Sequence, residues 1–291
     1  MQEPKLVVII GETASGKSSL ALRLAQRFDG EIICADSWTV RKKVNIGTAK
    51  PSVADRVLVP HHLLDVVGPD EDFTAAVFKR LAKEAIEDIT SRGKLPILAG
   101  GTGLYIDGVL YDYSFLPAGD RIGREELNKL SAKELLDRVQ QHNISTTGVD
   151  TRNKRRLIRL LETEGAQPAK HDVRPNTLII GLKIERDVLK QRIIDRTDAM
   201  LAAGLEQEVR DLQEQYGWQC EALKGVGYAQ WRHYFEGGQT LAETRQKIIK
   251  ATLDLAKRQH TWFKRNKSVQ WFDTSVKWPN VVDVVTTFLK S

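Results

Sequence analysis

Residues 11–18 read GETASGKS and match the phosphate-binding loop pattern GxxxxGK[ST]. The apolar run at 6–10 predicts a buried strand before this loop, and the amphipathic stretch at 18–28 predicts a helix after it. Glycines let such a loop turn its N–H groups around an anion, and the helix directs its positive end to the same point. The chain is therefore expected to bind a di- or triphosphate. The predicted ligands are Gly11, Glu12, Thr13, Ala14, Ser15, Gly16, Lys17 and Ser18, with Ser18 also able to hold Mg²⁺.

The rest of the pattern predicts an α/β fold, namely a P-loop NTPase-like parallel sheet flanked by helices, with an inserted small helical domain. Predicted strands lie at 6–10, 31–35, 62–66, 96–99, 177–184 and 268–272. Predicted helices lie at 18–28, 74–92, 123–141, 152–164, 185–215, 241–265 and 280–290. The polar segment 116–176 is the predicted insert, and residues 1–115 and 177–291 form the predicted core domain.

Charge is concentrated in one segment of the 291-residue chain. The net charge is +6, and residues 240–268 alone carry a surplus of the same size. A basic surplus confined to one helical segment suggests a polyanionic partner. No apolar run reaches the roughly 20 residues of a membrane span, and residues 1–5 show no signal peptide. With only two cysteines, Cys34 and Cys220, a cytoplasmic protein without a disulfide framework is expected.

Two acids compete for a catalytic role. Asp36 follows the predicted second strand, where ligands bind in open α/β sheets, so it could hold Mg²⁺, act as a base, or simply cap a turn. Asp65 ends the run His62-Leu63-Leu64-Asp65 within the predicted strand 62–66 and resembles a Walker B acid. Thr102 lies in a second glycine-rich turn, residues 100–103, that can converge on the first loop.

Three groups of basic residues are candidate phosphate contacts. Arg192 and Arg196 are one helical turn apart and share a face. The predicted insert has a dense cluster, and the last long helix interleaves basic residues with aromatic ones at 257–265. The insert cluster comprises Arg152, Lys154, Arg155, Arg156 and Arg159.

Several longer strings occur in an order typical of one enzyme family. They are GETASGKS, ADS at 35–37, IGTAKP at 46–51, GGTGLY at 100–105, RTDAM at 196–200 followed by Gly204-Leu205 and Glu208-Val209, and AKRQHTWF at 256–263. IGTAKP and AKRQxTWF are much more specific than the phosphate-binding loop. On these strings, essentially the whole chain resembles the tRNA dimethylallyltransferases, also called tRNA isopentenyltransferases.

The resemblance implies transfer of a dimethylallyl group from dimethylallyl diphosphate to N6 of the adenine 3′ of the anticodon in the tRNA anticodon loop. It implies that the loop at 11–18 holds the donor diphosphate, and Mg²⁺ is the expected cofactor. The protein is expected to be a monomer. By matching position Asp36 is the base on N6, while Thr102 and Arg196, with Arg192, contact the diphosphate. The implied tRNA contacts are Asp36, Ser37, Trp38, Thr39, Thr102, Arg124, Arg155, Arg156, Leu157, Ile158, Arg159, Lys257, Arg258 and Gln259.

Four positions depart from the family pattern. Gln and Tyr usually follow ADS, where this chain has Thr39 and Arg41, and Leu253 and Leu255 replace an Arg-then-Tyr pair. These departures concern recognition of the base rather than the diphosphate site. Two other functions stay open. One is an adenylate isopentenyltransferase acting on a free nucleotide, which would need neither basic segment. The other is a P-loop kinase or RNA-binding NTPase.

Overall fold

One parallel sheet of six strands organises the computed structural model, which describes residues 3–116, 121–166, 168–274 and 278–291. The strands are β1 (Leu6–Gly11), β2 (Gly30–Ala35), β3 (His61–His62), β4 (Leu95–Gly100), β5 (Thr177–Lys183) and β6 (Val269–Asp273). Their order is β3-β2-β4-β1-β5-β6, and every neighbouring pair is parallel. The predicted fold class is confirmed.

The chain divides into two compact units. The first comprises the chain up to Leu110 together with Val173–Ser291, and the second is Tyr111–Asp172. The helices are α1 (Lys17–Arg27), α2 (Val53–Leu58), α3 (Ala75–Ser91), α4 (Gly103–Leu110), α5 (Arg121–Lys129), α6 (Ala132–Gln141), α7 (Lys154–Glu162), α8 (Arg186–Ala202), α9 (Leu205–Tyr216), α10 (Arg232–Phe235), α11 (Leu241–Phe263) and α12 (Trp278–Lys290). The second unit contains α5 to α7 and lies a few residues earlier than the predicted insert.

Strand β1 is the hydrophobic centre of the first unit. All six of its residues are buried, as expected of a parallel strand covered on both faces. Val7 and Ile9 pack with Leu24 of α1 and Val285 of α12 in one apolar cluster. The loops after β1, β2 and β4 consequently meet at the carboxyl edge of the sheet, which is where a parallel sheet binds ligands.

Two long predicted helices are each divided into two. The predicted helix 123–141 ends at Lys129 and restarts at Ala132, because Ser131 and Glu134 form a capping box. The predicted helix 185–215 breaks at Gly204, whose φ of 96° places it in the left-handed region at the start of α9. The predicted helix 152–164 begins only at Lys154, since the Asn153 side chain caps it.

The predicted strand 62–66 is wrong beyond His62. Leu63 and Asp65 have φ values of 60° and 55°, and a left-handed backbone cannot continue a strand. Asp65 therefore does not end a Walker B strand. In the described part of the chain no helix is long and apolar enough to cross a membrane. Cys34 and Cys220 are both buried free thiols.

Candidate active site

A cavity of about 690 Å³ opens at the carboxyl edge of the sheet in the first unit. The phosphate-binding loop, the end of β2, the IGTAKP segment, the end of β4, and helices α8 and α11 all contribute to its wall. The predicted site residues on this wall are Thr13, Ala14, Gly16, Lys17, Ser18, Asp36, Thr39, Arg192, Arg196 and Gln259. The structure therefore brings the candidate phosphate ligands, the candidate base and both α8 arginines together.

The phosphate-binding loop has the backbone conformation that its glycines allow. Ala14 and Gly16 are left-handed, with φ values of 61° and 95°. A Cβ on Gly11 would lie 3.0 Å from the Ser15 hydroxyl and 3.1 Å from the carbonyl oxygen of Leu182, so the loop passes close to β5. These turns point the start of α1 at the cavity, which suits the binding of an anion.

Lys17 is held inside the loop. Its Nζ donates to the carbonyl oxygen of Glu12 at 2.6 Å. The pKa of Lys17 is lowered to about 8, chiefly by burial, with the carboxylate of Asp36 opposing the shift and the nearby Arg196 adding to it. A bound polyanion would add a large opposing effect and keep this ammonium charged.

Arginines of α8 supply the remaining positive charge. Leu189 and Ile193 pack with Ile249 and Ala256 of α11, and Arg192 and Arg196 lie beside this apolar contact, where they line the cavity. Burial lowers the pKa of Arg196, with Asp36 opposing it. The Arg196 Nη2 donates to the carbonyl oxygen of Thr48 at 3.2 Å. Arg192 is more exposed, and its Nη1 lies 3.5 Å from the carbonyl oxygen of Ala14.

Asp36 combines a turn with an open carboxylate oxygen. Its Oδ1 accepts the backbone N–H groups of Trp38 at 2.8 Å and Thr39 at 3.4 Å. Its Oδ2 accepts no hydrogen bond from any described residue. Asp36 also lines a second cavity of about 80 Å³, which shares Arg196 and Leu255 with the first and adds Trp38. Asp36 therefore has the turn role that the sequence left open, and it keeps one carboxylate oxygen without a hydrogen bond to a described residue while its side chain lines both cavities.

The rival acid, Asp65, is occupied elsewhere. It pairs with Lys50 at 2.6 Å and with Arg56 at 3.0 Å, and it is not on the cavity wall. The Lys50 side chain is only 2% exposed, so Asp65 is the counter-charge of a buried ammonium. Its position corrects the Walker B interpretation.

Thr102 organises the loops instead of lining the larger cavity. Its hydroxyl accepts the N–H of Ser37 at 2.9 Å, and its own N–H donates to the carbonyl oxygen of Ala35 at 3.1 Å. These bonds fix the residue on each side of Asp36. Thr102 therefore supports the candidate base, and a direct contact with diphosphate stays a prediction.

Gln259 occupies a different place from the one predicted. Lys257 and Arg258 are exposed on α11, but Gln259 is buried between the two glycine-rich loops. Its Oε1 accepts the N–H of Thr13 at 2.7 Å, and its Nε2 donates to the carbonyl oxygen of Gly101 at 3.0 Å. Both ends of the amide are therefore engaged between the loops, and a contact of Gln259 with tRNA stays a prediction.

The predicted tRNA contacts in the second unit are of two kinds, exposed and buried. Arg155 and Arg156 are exposed, whereas Leu157 and Ile158 are 0% and 1% exposed in the apolar core of this unit. The side chains of Leu157 and Ile158 therefore cannot contact RNA, which corrects that prediction. Arg124 and Arg159 each form an ion pair with the buried carboxylate of Glu162, at 2.9 and 3.2 Å. Part of the hydrogen-bonding capacity of each guanidinium is therefore used within this unit.

The sequence reasoning assigned no role to Glu208, although it lies in one of the quoted strings. Its carboxylate accepts the backbone N–H groups of Asn45, Ile46 and Gly47 at 2.8–3.0 Å, together with the Tyr228 hydroxyl at 2.6 Å. Burial and this carboxylate raise the pKa of Tyr228. Glu208 thus holds the IGTAKP segment against the cavity, and three successive N–H donors explain why a carboxylate is needed.

A sequence model of the IPP transferase family matches residues 39–266. This chain belongs to that family. A tRNA dimethylallyltransferase of Anoxybacillus flavithermus is 43% identical over 281 residues, which cover 92% of this chain and 90% of that protein.

Two solved structures of family members are similar over 99% of this chain. The tRNA isopentenylpyrophosphate transferase of Bacillus halodurans has a TM-score of 0.76 at 35% identity, with 96% of that chain covered. A eukaryotic dimethylallyltransferase acting on tRNA has a TM-score of 0.83 at 26% identity, with 80% of that chain covered.

Two of the four positions that depart from the usual IPP transferase pattern lie on a cavity wall. Thr39 and Leu255 line the larger cavity. Arg41 is 6% exposed, and its Nη1 donates to the carbonyl oxygens of Glu71 at 2.6 Å and Pro69 at 3.3 Å. Arg41 therefore braces the segment after β3 from inside, while Thr39 and Leu255 set the shape of the wall.

Proposed function

We propose that this chain transfers the dimethylallyl group of dimethylallyl diphosphate to N6 of the adenine that follows the anticodon of tRNA, giving isopentenyladenosine and diphosphate. One observation supports the proposal above all: Lys17, Arg192, Arg196 and Asp36 line the same cavity. The family and the names of the relatives support this class of reaction.

The donor half of the site matches the charge that develops during transfer. As the bond between C1 and the diphosphate oxygen breaks, negative charge collects on the leaving group. Lys17, Arg196 and the loop N–H groups are positioned to stabilise that charge. Ala21, Ile32 and Cys34 line the same cavity with apolar surface, which suits the dimethylallyl chain.

The acceptor half needs a base at one defined place. As N6 of adenine forms its bond to C1, it must lose a proton, and the free Oδ2 of Asp36 is available to take it. The Trp38 N–H holds the other carboxylate oxygen at 2.8 Å and so fixes the orientation of the group. The balanced result is isopentenyladenosine, diphosphate and one proton on Asp36 that passes to water.

Mg²⁺ is the proposed cofactor, and the residues fit it. Among the described residues there is no cluster of three or more His, Cys, Asp or Glu side chains for a metal. Mg²⁺ needs none, because it commonly binds one or two protein oxygens together with substrate phosphates and water. Ser18 lines the cavity and offers such an oxygen. When bound, the ion would neutralise charge on the diphosphate.

The proposed partner is the tRNA anticodon loop, because unpaired loop bases are the ones that proteins can draw into a pocket. Exposed Arg155 and Arg156 in the second unit, and Lys257 and Arg258 on α11, offer phosphate contacts. A free nucleotide would need neither surface. We further propose a monomeric enzyme of the cytoplasm, a compartment that suits the two free thiols.

The deciding experiment incubates the protein with dimethylallyl diphosphate, Mg²⁺ and bulk tRNA, and looks for isopentenyladenosine in the digested RNA. Parallel reactions replace tRNA with AMP, or replace the donor with ATP and measure phosphate release. Product in the tRNA reaction alone supports the proposal. Product on AMP alone would identify an adenylate isopentenyltransferase, and phosphate release alone would identify an NTPase or kinase.

A further inference from the structure

One side-chain amide joins the two glycine-rich loops of the site. Gln259 of α11 accepts from the Thr13 N–H at 2.7 Å and donates to the Gly101 carbonyl at 3.0 Å. Thr13 follows β1 and Gly101 follows β4, and these strands are direct neighbours in the sheet. With 9% of its surface exposed, Gln259 keeps both hydrogen bonds largely out of water. A donor and an acceptor on one planar group therefore set the spacing of the two loops.

The backbone at the second loop is shaped to admit this amide. A Cβ on Gly101 would lie 2.3 Å from the Gln259 Nε2, well inside contact distance. The next glycine along, Gly103, makes room for Trp262 in the same way, with its Cβ position 2.4 Å from the indole. Two glycines of GGTG are thus explained by close approach of α11 rather than by close approach of a ligand.

Neighbouring residues of α11 reinforce the connection. His260 places its Nδ1 2.8 Å from the carboxylate of Glu12 in the phosphate-binding loop. The Trp262 indole N–H donates to Asp107 of α4 at 2.9 Å. Residues 259, 260 and 262 therefore hold the two loops from one helix, and Gln259 alone touches both.

We propose that Gln259 is a positioning residue of the diphosphate site, which fixes the phosphate-binding loop against the loop after β4 and does not contact RNA. The inference rests on the proposed function, because it assumes that the loop at 11–18 holds a diphosphate. Without the amide, the Thr13 N–H loses its hydrogen-bond acceptor, and the orientation of the N–H groups in the phosphate-binding loop is no longer fixed. A displacement of about 1 Å at such a site can cost on the order of 10²-fold in rate.

The test compares Gln259→Ala with Gln246→Ala, a matched change at an exposed glutamine of the same helix. The first measurement is binding of inorganic diphosphate with Mg²⁺ by isothermal titration calorimetry, which needs no turnover. We expect Gln259→Ala to weaken this binding by about 10-fold or more and Gln246→Ala to leave it unchanged. The second measurement is tRNA binding without donor, which should stay within about twofold for both variants.

Gly101→Ala gives an independent readout if Gln259→Ala folds poorly, and where both variants fold the two changes form a double-mutant cycle. Gly101→Ala alone should weaken diphosphate binding, because its methyl group displaces the amide. In the Gln259→Ala background the same methyl group meets no amide, so the double variant should be little worse than the weaker-binding single variant. Additive losses would overturn the inference.

The outcomes separate this inference from the proposed function. Loss of tRNA binding with intact diphosphate binding in Gln259→Ala would make Gln259 an RNA contact and overturn the inference. Suppose that the wild-type protein binds diphosphate, that Gln259→Ala weakens this binding, and that no prenyl group is transferred. The inference would then stand and the proposed function would be refuted. Wild-type protein that binds no diphosphate would overturn both.

Discussion

Replacing Asp36 with Asn separates a base from a turn residue. Asn keeps an Oδ1 that can accept the N–H groups of Trp38 and Thr39, so the turn after β2 should persist. What is lost is the proton-accepting Oδ2 and one negative charge. That charge raises the pKa of Lys17 and Arg196 but also repels a bound diphosphate, so its removal has two opposing effects on donor binding. The main expected defect is therefore in the chemical step.

The magnitude follows from the role. A positioned general base contributes about 10²–10⁴-fold to the rate, so kcat for Asp36→Asn should fall by that factor while KM for both substrates changes little. The melting temperature should shift by no more than about 3 °C, the equivalent of roughly 1 kcal/mol in a protein of this size. The assay is single-turnover formation of isopentenyladenosine at saturating donor and tRNA.

Asp65→Asn is the matched control on the rival acid. Asp65 neutralises Lys50, whose side chain is only 2% exposed, and it also pairs with Arg56. Loss of one partner leaves a buried ammonium without a counter-charge, so this variant should be less stable by about 1–3 kcal/mol, with near-normal kcat per folded molecule. Near-normal kcat in Asp36→Asn, or a larger kcat loss in Asp65→Asn with both substrates still bound, would refute the assignment of the base.

Three further outcomes are expected. Lys17→Ala should lower kcat/KM for the donor by about 10²-fold or more in the transfer assay, because a fixed charge on the leaving group is lost; near-normal turnover would mean that this loop does not hold the donor. Because burial lowers the pKa of Lys17 to about 8, diphosphate binding above that pH should take up a proton and weaken as pH rises, which calorimetry in buffers of different ionisation enthalpy can measure. Charge reversal at both Arg155 and Arg156 should raise KM for tRNA and make this KM less dependent on salt, while KM for the donor stays constant. An equal rise in KM for tRNA and KM for the donor would instead indicate misfolding.

The features that could be predicted from sequence are those set by local pattern. Continuous apolar runs mark β1, β2, β4 and β5, since strands covered on both faces need them. The phosphate-binding loop was predictable because its glycines and lysine act through neighbouring backbone. The conformation of Asp65 could not be predicted in this way. Its backbone is left-handed and its side chain pairs with Lys50, fifteen residues earlier in sequence, so the contact is not a local one. A run ending in an acid looks the same in either case.

In helix α11 the spacing of the sequence indicates a buried stripe as well as a basic surface. Its basic run suggested a surface, yet Ala256, Gln259 and Phe263 recur at spacings of three and four and are all buried. A polar residue on an apolar stripe must find hydrogen-bond partners, and for Gln259 these are Thr13 and Gly101. Lys257 and Arg258 lie between the stripe positions and face outward. The string AKRQHTWF therefore serves two surfaces at once, with exposed basic charge on one side and hydrogen bonds to the two glycine-rich loops on the other. A substitution in it can be interpreted only after its place on the helix is known.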